Sequence, residues 1–240
     1  MIIVRCNCVS LVDNNCMPGR KIPLVNDKIY HIFNKTIDHK KVFEFTASSY
    51  LFLDLLKYYR SNNATVSYSK FKKMPPKLQG QIINKISIKN SHKVRILAYC
   101  LMPNHFHLLL QQLKANGISK YIADVLNSFT RFTNTKTVRN GPIFLTQFKA
   151  VEIVTREQLI HGTRYIHLNP YTTRVIKIKE QLVNYQWSSL HEYAKKGGIK
   201  LISTDMVLTE FKHNRESLIK FTLDHAETQK KLGAIKDYES

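Results

Sequence analysis

Acidic residues are scarce in this sequence. Its 240 residues include 37 Lys and Arg but only 17 Asp and Glu, which leaves a formal charge of +20 at pH 7. Repulsion among so many like charges opposes a compact state unless a polyanion balances them. The excess therefore favours nucleic acid as the partner. An anionic membrane surface is the alternative, but the basic residues are spread along the chain instead of forming one polybasic face beside an apolar stripe.

Long apolar runs and a pattern of paired cysteines are also missing from the sequence. No stretch approaches the roughly 20 residues that cross a bilayer as a helix. Three of the four cysteines are Cys6, Cys8 and Cys16, and Cys6-Asn-Cys8 lacks both the two-residue gap and the second pair of a zinc knuckle. We interpret them as reduced thiols. The first sixteen residues make a poor secretory signal, so we expect a cytoplasmic protein with no membrane partner.

The most informative stretch is Met102-Pro-Asn-His-Phe-His-Leu-Leu-Leu110. Strand-like segments at 94–98 and 105–110 flank the turn residues 102–104, and this pattern predicts a β-hairpin. His105 and His107 open the second strand, where residues two positions apart project to the same face. The two imidazoles can therefore offer nitrogens to one divalent cation. The pair alone does not make a site, because two solvated or core histidines would give the same pattern.

A second segment brings further polar groups together. Thr155-Arg-Glu-Gln158 has the form of a capping box and predicts the start of a helix. Pro170 predicts its end near Asn169, because proline cannot continue the hydrogen-bond ladder. On that helix Tyr165 and Asn169 are four residues apart, so the phenol and the amide lie on one face. By themselves they are more typical of a half-buried aromatic residue and a C-terminal cap than of a functional pair.

Taken together, Met102-Pro-Asn-His-Phe-His-Leu-Leu-Leu110 and Arg164-Tyr-Ile-His-Leu-Asn-Pro170 resemble the HUH single-strand DNA transposases. The likeness is to the REP-associated tyrosine transposase group, which is related to the small tyrosine transposases of insertion sequences. It extends from about Met17 to Tyr193. Further segments that carry it are Met17-Pro-Gly-Arg-Lys21, Ile29-Tyr-His-Ile-Phe-Asn34, Gly141-Pro-Ile-Phe144, Phe148-Lys-Ala150 and Trp187-Ser-Ser189. Leu145-Thr-Gln147 departs from it, because relatives commonly have Gln-Gly-Arg there.

The resemblance implies a catalytic site. Tyr165 is the implied nucleophile, and His105, His107 and Asn169 are the implied ligands of a divalent metal. The implied reaction is a metal-assisted transesterification in which the phenol attacks a phosphodiester of single-stranded DNA, forming a 5′-phosphotyrosine and a free 3′ hydroxyl. The implied metal is Mg2+ or Mn2+, although two histidines would equally suit zinc. We do not assign His167 as a base, because it lies on a different face of the helix from Tyr165.

The implied substrate is single-stranded DNA that carries hairpins, bound by a monomer or a homodimer. Four basic residues near the predicted site are candidate phosphate ligands: Lys149, Arg131, Arg139 and Arg164. Lys149 is favoured among them, because the departure at 145–147 puts the arginine contact of relatives in doubt. A solvated basic face would give the same pattern. His31, on the first predicted strand, can reach the metal, but a role on the sheet face is the favoured interpretation.

The predicted order of elements is β-α-β-β-α-β, which is typical of an α+β fold. We expect a ferredoxin-like antiparallel sheet with helices on one face, plus a C-terminal helical extension. The expected organisation is an N-terminal extension at 1–16, a catalytic domain at 17–193 with a basic insertion at 61–91, and a helical basic tail at 194–240.

Two other functions remain open. A protein that binds DNA hairpins without cleaving them would need neither Tyr165 nor the histidines for any activity. A zinc-dependent hydrolase would need an acidic residue to activate water. No Asp or Glu lies beside the histidine pair or on the Tyr165 face of the predicted helix. The complete set of four site residues favours the transposase over both alternatives.

Overall fold

The structure is a computed structural model that describes residues 23–194 and 201–230. Within these ranges one antiparallel sheet has the strand order β2-β3-β1-β4. The strands are β1 Ile29–Lys35, β2 Val94–Met102, β3 His105–Gln112 and β4 Lys149–Ile153. The α-helices are α1 Thr46–Tyr59, α2 Tyr68–Lys73, α3 Pro76–Ile86, α4 Gly117–Lys136, α5 Arg156–Thr172, α6 Leu190–Ala194, α7 Asp205–Thr209 and α8 Arg215–Asp224. In the described ranges no helix combines the length and apolar character needed to cross a membrane.

The register of the sheet decides which side chains share a face. His107 of β3 pairs directly with Phe33 of β1, and His105 pairs with Lys35. On the other side of β1, Phe33 pairs with Lys149 of β4. Directly paired residues of antiparallel strands project to the same face. The two histidines of β3 therefore share one face of the sheet with Phe33 and Lys149.

The opposite face of the sheet carries the main apolar core. Phe106 of β3 is fully buried there, and its ring centroid lies 5.1 Å from that of Phe52 in α1. Phe52 in turn lies 5.4 Å from Phe129 of α4. Because Phe106 alternates with the two histidines along the strand, α1 and α4 cover the face that the histidines leave.

Helix α5 lies on the histidine face. The ring centroid of Tyr165 in α5 is 5.9 Å from that of His107. The α+β class and the antiparallel sheet are confirmed. The helices, however, do not all lie on one face of the sheet as expected. They are divided between both faces, because the even positions of β3 pack against α1 and α4 while His107 faces α5.

Helix α5 begins where the sequence predicts and ends later. Thr155 Oγ1 accepts a hydrogen bond from Gln158 N at 3.1 Å, and Gln158 Oε1 accepts one from Thr155 N at 3.3 Å, so the capping box is present. The predicted end at Asn169 is wrong, because the helix continues through Pro170 for a short final turn. The backbone N–H and the hydroxyl of Thr173 both donate to the Asn169 carbonyl, at 3.1 and 2.8 Å. These donors stabilise a helix end that contains a proline.

The segments expected to be appendages are partly ordered elements. The predicted basic insertion at 61–91 contains α2 and α3, and Phe71 of α2 is buried with its ring 5.0 Å from that of Tyr58 in α1. The predicted helical tail contains α7 and α8, with Leu208 and Leu218 buried. The predicted N-terminal extension at 1–16 lies outside the described residues.

Candidate active site

The structure brings together the four residues that the sequence singles out. His105 and His107 stand on β3 with ring centroids 5.1 Å apart. Tyr165 lies above them on α5, with 44% of its side chain exposed. Asn169 follows one helical turn later and is 4% exposed. The half-exposed phenol therefore faces His107, and the buried Asn169 amide lies one turn further along the same side of α5.

Each of the two histidines has its Nδ1 atom in a hydrogen bond. His105 Nδ1 lies 2.7 Å from Oδ1 of Asn104, in the hairpin turn. His107 Nδ1 lies 2.9 Å from Nε2 of His31, on β1. The amide oxygen can only accept, so Nδ1 of His105 carries the proton and its Nε2 carries the lone pair. Among the described residues neither ring has a hydrogen bond at Nε2, which is therefore the nitrogen left for another ligand.

Burial keeps the imidazoles of the site uncharged at neutral pH. It lowers the pKa of His31 to about 4, and it lowers the pKa of His105 to about 4 with a smaller contribution from the charge of Lys35. The pKa of His107 is lowered well below its usual range, mainly by burial and then by the neighbouring imidazoles. A neutral imidazole is the form that binds a metal. The three rings are thus ready to act as ligands or hydrogen-bond partners at pH 7.

The phenol of Tyr165 is in its protonated form at neutral pH. Burial raises its pKa above the usual value near 10, and a hydrogen bond with the Asn169 side chain acts in the opposite direction. Asn169 Nδ2 also donates to the Tyr165 carbonyl oxygen at 2.9 Å. That bond fixes the amide, so its Oδ1 is the atom left to bind a ligand. Any nucleophilic role of the phenol needs a base to accept its proton, and a nearby cation would help by lowering the phenol pKa.

The donor set suits a hard or borderline divalent cation. The candidate donors are Nε2 of His105, Nε2 of His107 and Oδ1 of Asn169, two nitrogens and one neutral oxygen. Among residues 23–194 and 201–230, no three or more His, Cys, Asp or Glu side chains are grouped so that they can hold a metal ion. His31 therefore does not complete a three-histidine cluster with His105 and His107, and the amide of Asn169 is the candidate third donor.

Of the four candidate phosphate ligands, Lys149 is placed beside the site. It is exposed on β4 and pairs directly with Phe33, so it shares the face of His107. Arg131 is exposed on α4, which packs on the opposite face of the sheet. Its position gives it no direct part in the chemistry at Tyr165.

The other two arginines have partners within the protein. Arg139 donates to the carbonyl oxygens of Gly141 and Pro142, at 3.3 and 2.8 Å, and so closes the loop after α4. Arg164 lies over the ring of Phe221 in α8, with Cζ 4.6 Å from the ring centroid. These contacts give both guanidinium groups a role in the fold that spacing along the sequence does not reveal.

Sequence reasoning missed the contacts that orient the two histidines. The alternation of β1 places His31 on the sheet face, but its partner is 76 positions away on another strand. Only the register between β1 and β3 brings the two rings together. The sequence motif predicts only a turn role for Asn104. Its Oδ1 contact with His105 gives it a second role.

His167 belongs to the fold and not to the site. It is fully buried on α5, and its Nε2 lies 2.9 Å from Ser189 Oγ. Its Nδ1 is buried with no hydrogen-bond partner among the described residues. A second proton on this ring would find no acceptor, and burial together with the charge of His191 lowers its pKa to about 3.

We expect acid to destabilise the fold through His167. Its pKa is about 3 when folded and about 6.5 when unfolded, so between these values only the unfolded chain binds the proton. The free energy of unfolding therefore falls as pH decreases through this window, by about 1.4 kcal/mol per pH unit for this group. Urea unfolding at pH 7 to 4 measures the slope, with His167→Gln as comparison because glutamine can still bond Ser189. Equal slopes in the two proteins would contradict the low pKa of His167 in the folded state. The other histidines contribute equally to the slope of both proteins, so they would not cause a difference.

The comparisons with known proteins fit this geometry. Residues 68–169 match the family model described as "Transposase IS200 like". The resemblance to the IS200-like transposases is confirmed. The matched residues run from α2 to Asn169 and include the histidine pair and Tyr165. A solved structure of a REP-associated tyrosine transposase also matches this protein.

That solved structure is titled "Structure of the REP associates tyrosine transposase bound to a REP hairpin". It is 15% identical to this protein, with a TM-score of 0.50, and the alignment covers 79% of this chain and 92% of that chain. At this identity the likeness establishes a shared fold. A comparison with curated proteins finds no match.

Proposed function

We propose that the protein is a metal-dependent transposase that cleaves and rejoins single-stranded DNA near hairpins through a 5′-phosphotyrosine. The observation that carries the proposal is the position of Tyr165. Its ring centroid lies 5.9 Å from that of His107, on the face where His105 and His107 both leave Nε2 available. This position supports a site in which Tyr165 is the nucleophile and the two neutral imidazoles and the Asn169 amide oxygen bind the metal.

In the proposed reaction the Tyr165 oxygen forms a bond to phosphorus while the bond from phosphorus to the 3′ oxygen breaks. The phenol proton leaves the nucleophile, and the departing 3′ oxygen takes up a proton to become a hydroxyl. A divalent cation, Mg2+ or Mn2+, held by His105, His107 and Asn169 would polarise the phosphate and balance its developing charge. The reverse attack by a 3′ hydroxyl on the phosphotyrosine would rejoin strands. No nucleotide cofactor is consumed.

Hairpin-bearing single-stranded DNA is the proposed substrate. The formal charge of +20 suits a polyanion, and the transposase of the solved relative is bound to a REP hairpin. Lys149 is the proposed phosphate contact, because it is exposed on the histidine face. We propose residues 17–193 as the catalytic domain, acting as a monomer or a homodimer. A DNA substrate also agrees with the expected cytoplasmic location.

The test is a search for the covalent intermediate. Labelled single strands with a hairpin are incubated with the protein and Mn2+, and the products are separated on a denaturing gel. We expect a slowly migrating protein–DNA adduct that disappears when a chelator is added and in His105→Ala, which removes one ligand. A peptide map of the adduct should carry the nucleotide on Tyr165.

Two results would contradict the proposal. Tight binding to hairpins with no adduct under any metal condition would favour the protein that binds hairpins without cleaving them. Cleavage without a covalent adduct would favour the zinc-dependent hydrolase. A matched strand with a scrambled stem separates hairpin recognition from binding to any single strand.

A further inference from the structure

We infer that His31 is a positioning residue that selects the metal-binding tautomer of His107. The inference rests on the proposed function, which makes His107 a metal ligand. It concerns a residue outside the implied ligand set of His105, His107 and Asn169. In this scheme His31 acts through its hydrogen bond to Nδ1 of His107.

The two rings meet end to end. His31 Nε2 and His107 Nδ1 are 2.9 Å apart, while the ring centroids are 5.1 Å apart and the ring planes differ by 24°. A centroid distance so much longer than the nitrogen distance requires the two nitrogens to point at each other along one line. Two ligands of a single metal would instead aim their lone pairs at a third point. The contact therefore has the geometry of a hydrogen bond.

One proton lies in that hydrogen bond, and its owner decides what His107 can bind. A neutral imidazole has one N–H and one lone pair. If His107 Nδ1 donates to His31 Nε2, the lone pair of His107 is on Nε2, and this nitrogen can bind a cation. If His31 donates instead, His107 Nε2 carries the proton and is closed to a metal. Metal binding thus requires His31 to be the acceptor.

His105 shows the same arrangement with an acceptor whose role is not in question. Its Nδ1 lies 2.7 Å from the Asn104 amide oxygen, which leaves its Nε2 for the metal. Outer partners of this kind fix the tautomer and orientation of histidine ligands. Asn104 and His31 are therefore matched acceptors for the two histidines, one in the hairpin turn and one across the sheet.

His31 also has a neighbour that suggests a rival role. Its ring centroid is 5.8 Å from that of Tyr165, so it is close enough to be considered as the base for the phenol. Its Nε2 is occupied by His107, however, and the contact with Tyr165 is an edge-on ring contact with an interplanar angle of 70°. A base would affect the pH dependence of cleavage and leave metal affinity unchanged, so the two roles have different readouts.

The experiment measures Mn2+ affinity directly, without DNA. Titration calorimetry compares the full-length protein with His31→Phe, which keeps a ring but removes the acceptor, and with His31→Gln, whose amide oxygen can still accept. We expect His31→Phe to bind Mn2+ about 10- to 100-fold more weakly, and His31→Gln to stay close to the unmodified protein. Phe33→Leu is the packing control, because Phe33 contacts both rings but has no acceptor.

A second readout follows the tautomer itself. Nitrogen-15 NMR of the histidine side chains in the metal-free protein should show His107 protonated at Nδ1. In His31→Phe this preference should be lost, and in His31→Gln it should be kept. If thermal unfolding shows that the phenylalanine variant does not fold, His31→Leu provides the same loss of the acceptor with a smaller side chain.

The outcomes separate this inference from the proposed function. Mn2+ binding that depends on His105 and His107 but is unchanged in His31→Phe would overturn the inference and leave the proposed metal site intact. Mn2+ binding that is the same in the unmodified protein and in His105→Ala would overturn both. A preserved affinity with an altered pH dependence of cleavage in His31→Phe would assign His31 as a base and overturn its positioning role.

Discussion

Replacing Tyr165 by Phe should abolish the protein–DNA adduct and lower strand cleavage by several orders of magnitude. In the proposed reaction the phenol oxygen bonds to phosphorus, and phenylalanine has no nucleophile to replace it. Apart from the hydrogen bond between the phenol and the Asn169 side chain, the substitution should spare the rest of the site. Asn169 Nδ2 donates to the backbone carbonyl of residue 165, and the ring contacts with His31 and His107 need no hydroxyl. We expect hairpin affinity, measured by gel shift, to change little.

The matched control is Tyr50→Phe, because Tyr50 is also well exposed but its ring packs against Trp187, outside the site. It should form the adduct at the normal rate. An adduct that persists in Tyr165→Phe would show that another residue is the nucleophile. A loss of hairpin affinity in the same variant would show that the phenol binds DNA, whether or not it also attacks it.

Replacing Phe52 by Ala should have the largest effect on stability. Phe52 is fully buried on α1, and its ring lies 5.0 Å from Phe43, 5.1 Å from Phe106 and 5.4 Å from Phe129. Removing the ring loses its burial and leaves a cavity among rigid neighbours, at a cost of about 3–5 kcal/mol. Urea unfolding followed by circular dichroism measures the change in the free energy of unfolding.

Phe132→Ala is the control for Phe52→Ala. Phe132 is on α4 but is 50% exposed, so its removal should cost far less, within about 1 kcal/mol. Similar losses in the two variants would mean that the aromatic cluster between α1, α4 and β3 is not the main core. Below its unfolding temperature Phe52→Ala should still form the adduct, because the cluster and the histidines lie on opposite faces of the sheet.

Local signals in the sequence were sufficient for much of the fold. The hairpin, the start of α5 and the periodic apolar residues of α4 all depend on neighbours within a few positions, and the structure contains each of them. The end of α5 was missed, because the donors that support it come from Thr173, beyond Pro170. The division of helices between two faces was also missed, because the order of elements does not state which face each helix covers.

The candidate site was also predictable only where it depends on residues close together in the sequence. Residues in one motif, such as His105 with His107 or Tyr165 with Asn169, could be paired from strand and helix periodicity. The contact of His31 with His107 could not, because it depends on the register between two strands. The partners of Arg139 and Arg164 were equally hidden, because loop carbonyls and a ring from α8 are brought to them only by folding.

Because side chains alternate along β3, the core and the candidate site both depend on the register of β3 against β1. A slip of one residue against β1 would turn Phe106 and Leu108 toward α5 and drive both histidines into the apolar layer under α1. The slipped chain would lose both its core and the arrangement of the candidate site. A misregistered chain therefore lacks the stable core that would hold the candidate site together.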